Sequence, residues 1–208
     1  LNPDTLQAPA APGSFIHPLH SVVERLDLGQ MFPTRQSLEV ELGSGDGSFM
    51  AQYARLHPER NFIGVERLLG RLRKLDRKAK RLGLENVRAV RMEAVYFLEH
   101  LLPPASAEAV HVYFPDPWPK RRHHKHRLIN SDFPPMAAHA LADEGVIYLR
   151  TDDAAYFKRM KQVFDASALF AEAPTPEELS ATVTDFERGF LARGIPTLRA
   201  AYRKIKRQ

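Results

Sequence analysis

From residue 38 onward, short runs of β-type residues alternate with helical apolar periods. That alternation narrows the fold to α/β: a mostly parallel sheet with right-handed crossovers and helices on both faces. Residues 38–42 read as a strand ending in Gly43, Gly45 and Gly47, with a helix following to about Leu56. Residues 61–66 are the next strand. Leu68, Leu72, Leu75, Ala79 and Leu82 then recur at steps of four, three, four and three, one apolar helical stripe that Gly83 stops. The spacing continues with a strand at 87–91, a helix at 94–102, a strand at 109–114, a helix at 131–141 and a strand at 145–151. A helix at 154–164 and a last strand at 198–205 complete the series. The chain has 208 residues, 44% apolar and 26% charged, enough to bury one core of ordinary size. A single domain is therefore expected over 21–208. Residues 1–20 carry Pro3, Pro9, Pro12 and Pro18 and read as a flexible tail.

In parallel α/β sheets ligands bind outside the carboxyl ends of the strands, so the residues just past each strand carry the functional information. After the first strand comes Glu41-Leu42-Gly43-Ser44-Gly45-Asp46-Gly47. The G-x-G-x-G spacing differs from the G-x-G-x-x-G dinucleotide fingerprint. Glu41 and Asp46 also place carboxylates beside the loop, which oppose a pyrophosphate. They suit a ligand carrying an ammonium and a sulfonium, such as S-adenosylmethionine (SAM). Glu66 ends the second strand where ribose hydroxyls are held in such folds. Glu93, past the third strand, has two readings: an acceptor for an adenine amino group, or an acid complementing a helix N-terminus.

The stretch Phe114-Pro115-Asp116-Pro117-Trp118-Pro119-Lys120 follows the fourth strand. Three prolines restrict the backbone around one carboxylate and the only Trp. Such rigidity suits an Asp116 that must be held at a fixed place beside reacting atoms; the alternative is a packing loop anchored by Trp118. Next come Lys120, Arg121, Arg122, His123, His124, Lys125, His126 and Arg127, with no acid among them. Five permanent cations oppose a metal site built on the three histidines, and no metal is expected. A polyanionic substrate explains the tract beside a proposed active site, and a solvated surface is its plainer alternative.

No Cys is present, which excludes thiolate metal sites, disulfides and a Cys nucleophile. It fits a reducing compartment, and a cytoplasmic location is expected. No apolar run approaches the ~18 residues of a membrane span. The start has no basic stretch followed by an apolar block, so no secretory signal and no membrane association are expected.

These residues resemble the bacterial tRNA (guanine-N7)-methyltransferases, Rossmann-like SAM-dependent enzymes that methylate a guanine in the tRNA variable loop. The resemblance rests on ELGSGDG, GVER, FPDPWPKRRHHKHR, Thr151-Asp152 and Thr184-Asp185-Phe186-Glu187. It implies cofactor contacts at Glu41, Gly43, Gly45, Glu66, Glu93 and Asp116, with Asp116 also catalytic. It implies tRNA contacts at Lys120, at Arg122, His123, His124, Lys125, His126 and Arg127, at Asp152, and at Thr184, Asp185, Phe186 and Glu187. The family commonly has Asp or Asn where Glu93 stands. From the residues alone, 184–187 read only as a polar loop before a final strand. Competing readings are a dinucleotide-dependent oxidoreductase, a SAM-dependent RNA methyltransferase acting on an exocyclic amine, and a non-catalytic RNA-binding protein of the same fold. Monomer and homodimer both stay open.

Overall fold

In the first of two units, Leu1–Pro103, one helical turn, α1 (Leu28–Met31), precedes β1 (Ser37–Leu42), α2 (Ser48–Leu56), β2 (Arg60–Val65), α3 (Leu69–Leu82) and β3 (Val87–Val90). A short α4 (Ala94–Tyr96) then widens into a π turn over Phe97–Leu101. The structure is a computed structural model and describes residues 13–206. The three strands are parallel in the order β3-β2-β1. Five of the six residues of β1 and of β2 are buried, the near-continuous pattern of strands covered on both faces. Glu39 is buried within β1 and meets Arg60 at 2.8 Å, so that charge is matched where it stands.

The expected stripe on α3 is present at its centre. Leu72, Leu75 and Ala79 are fully buried, whereas Leu68 lies outside the first turn and is half exposed. Gly83 ends the helix with φ +63° and returns its N–H to Ala79 and Lys80. Gly47 shows how tightly α2 and α3 approach. Its φ is +73°, and a Cβ placed there would stand 2.3 Å from Leu75 Cδ1. Gly43 has φ +75° with open space around the missing Cβ. Gly43→Ala is therefore expected to cost about 1–2 kcal/mol, the left-handed penalty alone. Gly47→Ala adds an overpacking cost of about 1–3 kcal/mol. Urea midpoints of the two variants check the ranking; equal midpoints would refute it.

Of the expected tail at 1–20, residues 1–12 lie outside the described residues. Residues 14–17 are paired: Ile16 bridges Ala89 in parallel, with His17 N–H donating to the Ala89 carbonyl and Ala89 N–H to that of Phe15, each at 2.8 Å. Asp76 on α3 accepts from Phe15 N–H at 2.7 Å and from Ser14 Oγ at 3.2 Å. Leu19, further along, is buried.

The second unit, Pro104–Gln208, contains β4 (Ala107–Tyr113), a 3₁₀ helix at Arg121–His126, α5 (Phe133–Ala140), β5 (Leu141–Thr151) and α6 (Ala154–Asp165). It continues with β6 (Phe170–Ala173), α7 (Glu177–Ala181), α8 (Asp185–Leu191) and β7 (Leu198–Lys204). β4 and β5 are parallel, while β7 is antiparallel to both β5 and β6, giving the order β4-β5-β7-β6. Among the described residues, three of the five pairings within the units are parallel, both in the first unit and β4 with β5 in the second, in agreement with the expected α/β class. Pro134 and Pro135 sit in the first turn of α5 as expected. Phe164 organises the core here, stacked on Tyr202 at 4.6 Å and edge-on to Phe170 at 5.3 Å. Among the described residues no helix is long and apolar enough to cross a membrane.

Candidate functional site

The register of the first unit aligns three carboxyl ends, because Leu42 pairs with Val65 and Val65 with Val90. The glycine loop, Glu66 and the turn before α4 therefore emerge along one edge. The loop is fixed by Gly43 and Ser44 N–H groups donating to Val65 O at 2.8 and 2.9 Å. Glu41 is buried at the end of β1, and Gly45 beyond it has φ +56°. Asp46, the second expected carboxylate, is committed: it meets Lys78 Nζ at 2.9 Å and accepts from Ser48 N–H at 3.2 Å. Glu66 is buried, with Oε1 accepting from Leu68 N–H at 2.8 Å and Oε2 lying 3.4 Å from Arg71. Glu93 caps α4, accepting from Tyr96 N–H at 2.9 Å, so the helix-terminus reading is realised in the fold. Its side chain is exposed.

In the second unit Tyr113 pairs with Arg150, which aligns the ends of β4 and β5 and places the 114–118 loop and Asp152 at one edge. Phe114 and Trp118 adopt φ +50° and +45°, left-handed conformations that cost bulky residues about 1–2 kcal/mol each. The loop is held against that cost. Arg127 Nε donates to Pro117 O at 2.7 Å while its guanidinium lies 4.7 Å from the Tyr156 ring centre. Tyr156 is fully buried, and its hydroxyl accepts from Ile129 N–H at 3.0 Å. Burial, with a further contribution from the Asp116 charge, pushes the Tyr156 hydroxyl up to about 12. Asp116 itself is exposed between the two left-handed residues. Asp152 is half-buried just past β5.

The basic tract divides by role. Lys120, Arg122, Lys125 and His126 are exposed, and His123 and His124 are half-buried. Arg127, half-buried, is the loop clamp just described. Trp118 lies 5.3 Å from His126 and 5.7 Å from His123, ring centre to ring centre.

The segment 184–187, read from sequence as a polar loop, is the start of α8. Thr184 is its N-cap and forms a reciprocal capping box with Glu187: Thr184 Oγ1 accepts from Glu187 N–H at 3.0 Å, and Glu187 Oε2 from Thr184 N–H at 2.9 Å. Glu187 is fully buried and ion-paired with Arg150 at 2.9 Å and Arg199 at 2.8 Å. Thr184 and Glu187, both expected to contact substrate, are buried and make these contacts within the fold. Asp185 pairs with Arg188. Phe186 alone projects an exposed ring, 57% accessible and stacked with Phe114 at 6.4 Å. Sequence reasoning missed Arg150. Its guanidinium also binds Thr182 O and Leu179 O and lies 4.2 Å from the Tyr113 ring centre, while its carbonyl accepts from Phe114 N–H at 2.8 Å.

A family model described as "Putative methyltransferase" matches residues 35–200. The chain is 35% identical over 182 residues to the tRNA (guanine-N(7)-)-methyltransferase of Thermotoga maritima, covering 87% of this chain. It is 35% identical to that of Alkalilimnicola ehrlichii over 86% of this chain and 77% of that protein. The chain belongs to the tRNA (guanine-N7)-methyltransferase family. It spans 58% of the length of the Thermotoga maritima relative. A third family member, from Leifsonia xyli subsp. xyli, is 37% identical over 78% of this chain and 74% of its own. Among solved structures, the 16S rRNA methyltransferase KamB aligns with TM-score 0.64 and 17% identity over 88% of this chain and 95% of its own. A precorrin-6y C5,15-methyltransferase from Geobacter metallireducens aligns with TM-score 0.52 and 14% identity over 84% of each chain. These likenesses show the Rossmann-like methyltransferase fold.

For a tRNA (guanine-N7)-methyltransferase family member, the fit of the glycine loop to a cofactor can be tested on the loop itself. Ser44 Oγ is buried there with no hydrogen-bond partner among the described residues. An orphaned buried hydroxyl costs about 1–3 kcal/mol, which a polar ligand group would recover. Together with open space at Gly43 and the buried Glu66 carboxylate, the donor set fits a ligand with hydroxyl and amine groups. Among the described residues no group of three or more His, Cys, Asp or Glu is placed to hold a metal.

Proposed function

We propose that the chain transfers a methyl group from SAM to N7 of a guanine in the tRNA variable loop, with 21–208 as one methyltransferase domain. The family match, continuous over 35–200 and so running through both units, supports the single domain. The observation that carries the reading is Asp116, held between two left-handed residues at the end of β4 and clamped by Arg127, in a chain of this family.

SAM supplies a methyl group on a positively charged sulfur. Glu66 has the carboxylate geometry for ribose hydroxyls, Gly43 and Gly45 allow close backbone approach, and Ser44 and Glu41 add polar groups at the same edge. Glu93 Oε2 is engaged by Tyr96, so an adenine amino group would be met by Oε1. Guanine N7 carries an in-plane lone pair and no proton. With SAM held there, N7 would take the methyl group as the S–CH3 bond broke and the sulfonium left as a neutral thioether, so no covalent enzyme intermediate is required. Positive charge would then develop on the purine. Asp116, with Asp152 at the same edge of its unit, stabilises that charge and accepts from the N–H groups of the base. No proton transfer to Asp116 is required.

Incubation with methyl-labelled SAM and unmodified tRNA, followed by nuclease mapping, tests the proposal. Label is expected as N7-methylguanine in the variable loop. Label on an exocyclic amine, or none, overturns it.

A further inference from the structure

We propose that Trp118 is a stacking platform for an unpaired base of the RNA substrate, framed by His123 and His126. The inference rests on the RNA-binding half of the function proposed above and assigns a residue that binds by its ring face.

The chain has one Trp, and it stands in a loop 36% accessible rather than in either core. Its φ of +45° is a conformation an indole-bearing residue adopts at a cost of about 1–2 kcal/mol. A packing anchor would gain burial in exchange, and this ring retains more than a third of its surface. His123 and His126 approach at interplanar angles of 87° and 50°. Neither imidazole lies parallel to the indole, the arrangement a nucleobase would adopt. The two histidines brace the ring from the 3₁₀ helix, and that same short helix carries Arg121, Arg122 and Lys125, all exposed. An exposed aromatic ring beside exposed cations is the combination by which proteins hold single-stranded nucleic acid: cations follow the phosphates, and the ring takes a base. The charge favours this over a protein partner, since residues 120–127 contain no acid to complement a mixed interface.

A sole Trp makes the proposal directly readable. The full chain is titrated at fixed salt with a short unstructured RNA oligonucleotide and, separately, with heparin, a polyanion without bases, while only Trp118 is excited. Strong quenching by RNA and little by heparin is expected. Equal responses to both mean that charge alone is sensed, and no response to RNA means that the ring does not meet a base; either result overturns the proposal. Trp118→Ala is expected to weaken RNA binding roughly 5- to 150-fold. The slope of log K against log salt should stay unchanged, because no phosphate contact is removed. Trp118→Phe, which keeps a ring, should recover most of the affinity; failure to do so would show that Trp118 only shapes the loop. The methyl-transfer assay on the same preparation separates the two readings. Methylated tRNA without quenching overturns the platform alone, and quenching without methylation upholds the platform and overturns the enzyme.

Discussion

Asp116→Ala is expected to lower the single-turnover rate of methyl transfer by about two to four powers of ten, the range for losing a preorganised charge aimed at developing charge. The structure explains why the loss should fall on chemistry rather than on folding. Asp116 is exposed, and the loop around it is held by other groups: the Phe114 N–H on Arg150 O at 2.8 Å, the Pro117 carbonyl on Arg127 at 2.7 Å, and the prolines themselves. Removing the carboxylate leaves those constraints in place, so the melting temperature should move little and RNA affinity should survive. Asp116→Asn divides the two roles of the carboxylate. The amide retains an acceptor for the base but has no charge, so a rate near that of Asp116→Ala identifies charge as the larger contribution. A variant retaining most of its rate would remove Asp116 from catalysis.

Much of this was legible in the sequence because it rests on local signals. The strand ends, the glycine turn, the α3 stripe and the N-terminal prolines of α5 all follow from period and turn chemistry within a few residues. The segment 14–17 was hidden by its proline-rich neighbours, although Phe15 and Ile16 are the apolar pair that lies along β3. β6 is four residues long with only Phe170 buried, too short for alternation to show. The start of α8 was available and overlooked: Thr184-x-x-Glu187 is itself the capping-box pattern. What no local rule could supply is the partner of Glu187. Arg150 stands 37 residues earlier, inside an apolar strand, and only the register of β5 with β7 brings Arg150 and Arg199 side by side to receive one carboxylate. The same distance effect hid the use of Arg127, which reads as one more cation of a basic run until Tyr156 is seen beneath it.

The buried ion pair carries the largest expected effect on stability. Glu187 and Arg150 have side chains 0% and 1% accessible, and Arg199 adds a second cation at 28%. A buried pair is weak evidence for net stabilisation, because desolvation offsets much of the attraction. Breaking it is another matter. Glu187→Ala leaves the buried Arg150 guanidinium without its carboxylate, beside the Thr182 and Leu179 carbonyls and the Tyr113 ring, and also deletes half of the capping box. A loss of about 3–5 kcal/mol is expected, against a total stability of roughly 5–15 kcal/mol for a folded chain. Glu187→Gln retains an acceptor for Thr184 N–H and should lose less. Replacing both partners together, as in Arg150→Met with Glu187→Leu, should lose less than Glu187→Ala alone, since no charge is then stranded in the interior. Urea denaturation followed by far-UV circular dichroism gives the ordering. A Glu187→Ala loss below ~1 kcal/mol would place the pair among solvated surface bridges, and a double variant worse than the single one would show that the ion pair is itself net stabilising. The pair also ties α8 to the 114–118 loop, through Arg150 to Phe114 and through the stacked rings of Phe186 and Phe114. Glu187→Ala should therefore slow methyl transfer under conditions where it is still folded, while Lys161→Ala, which opens an exposed bridge to Glu172 on the same unit, should change neither stability nor rate.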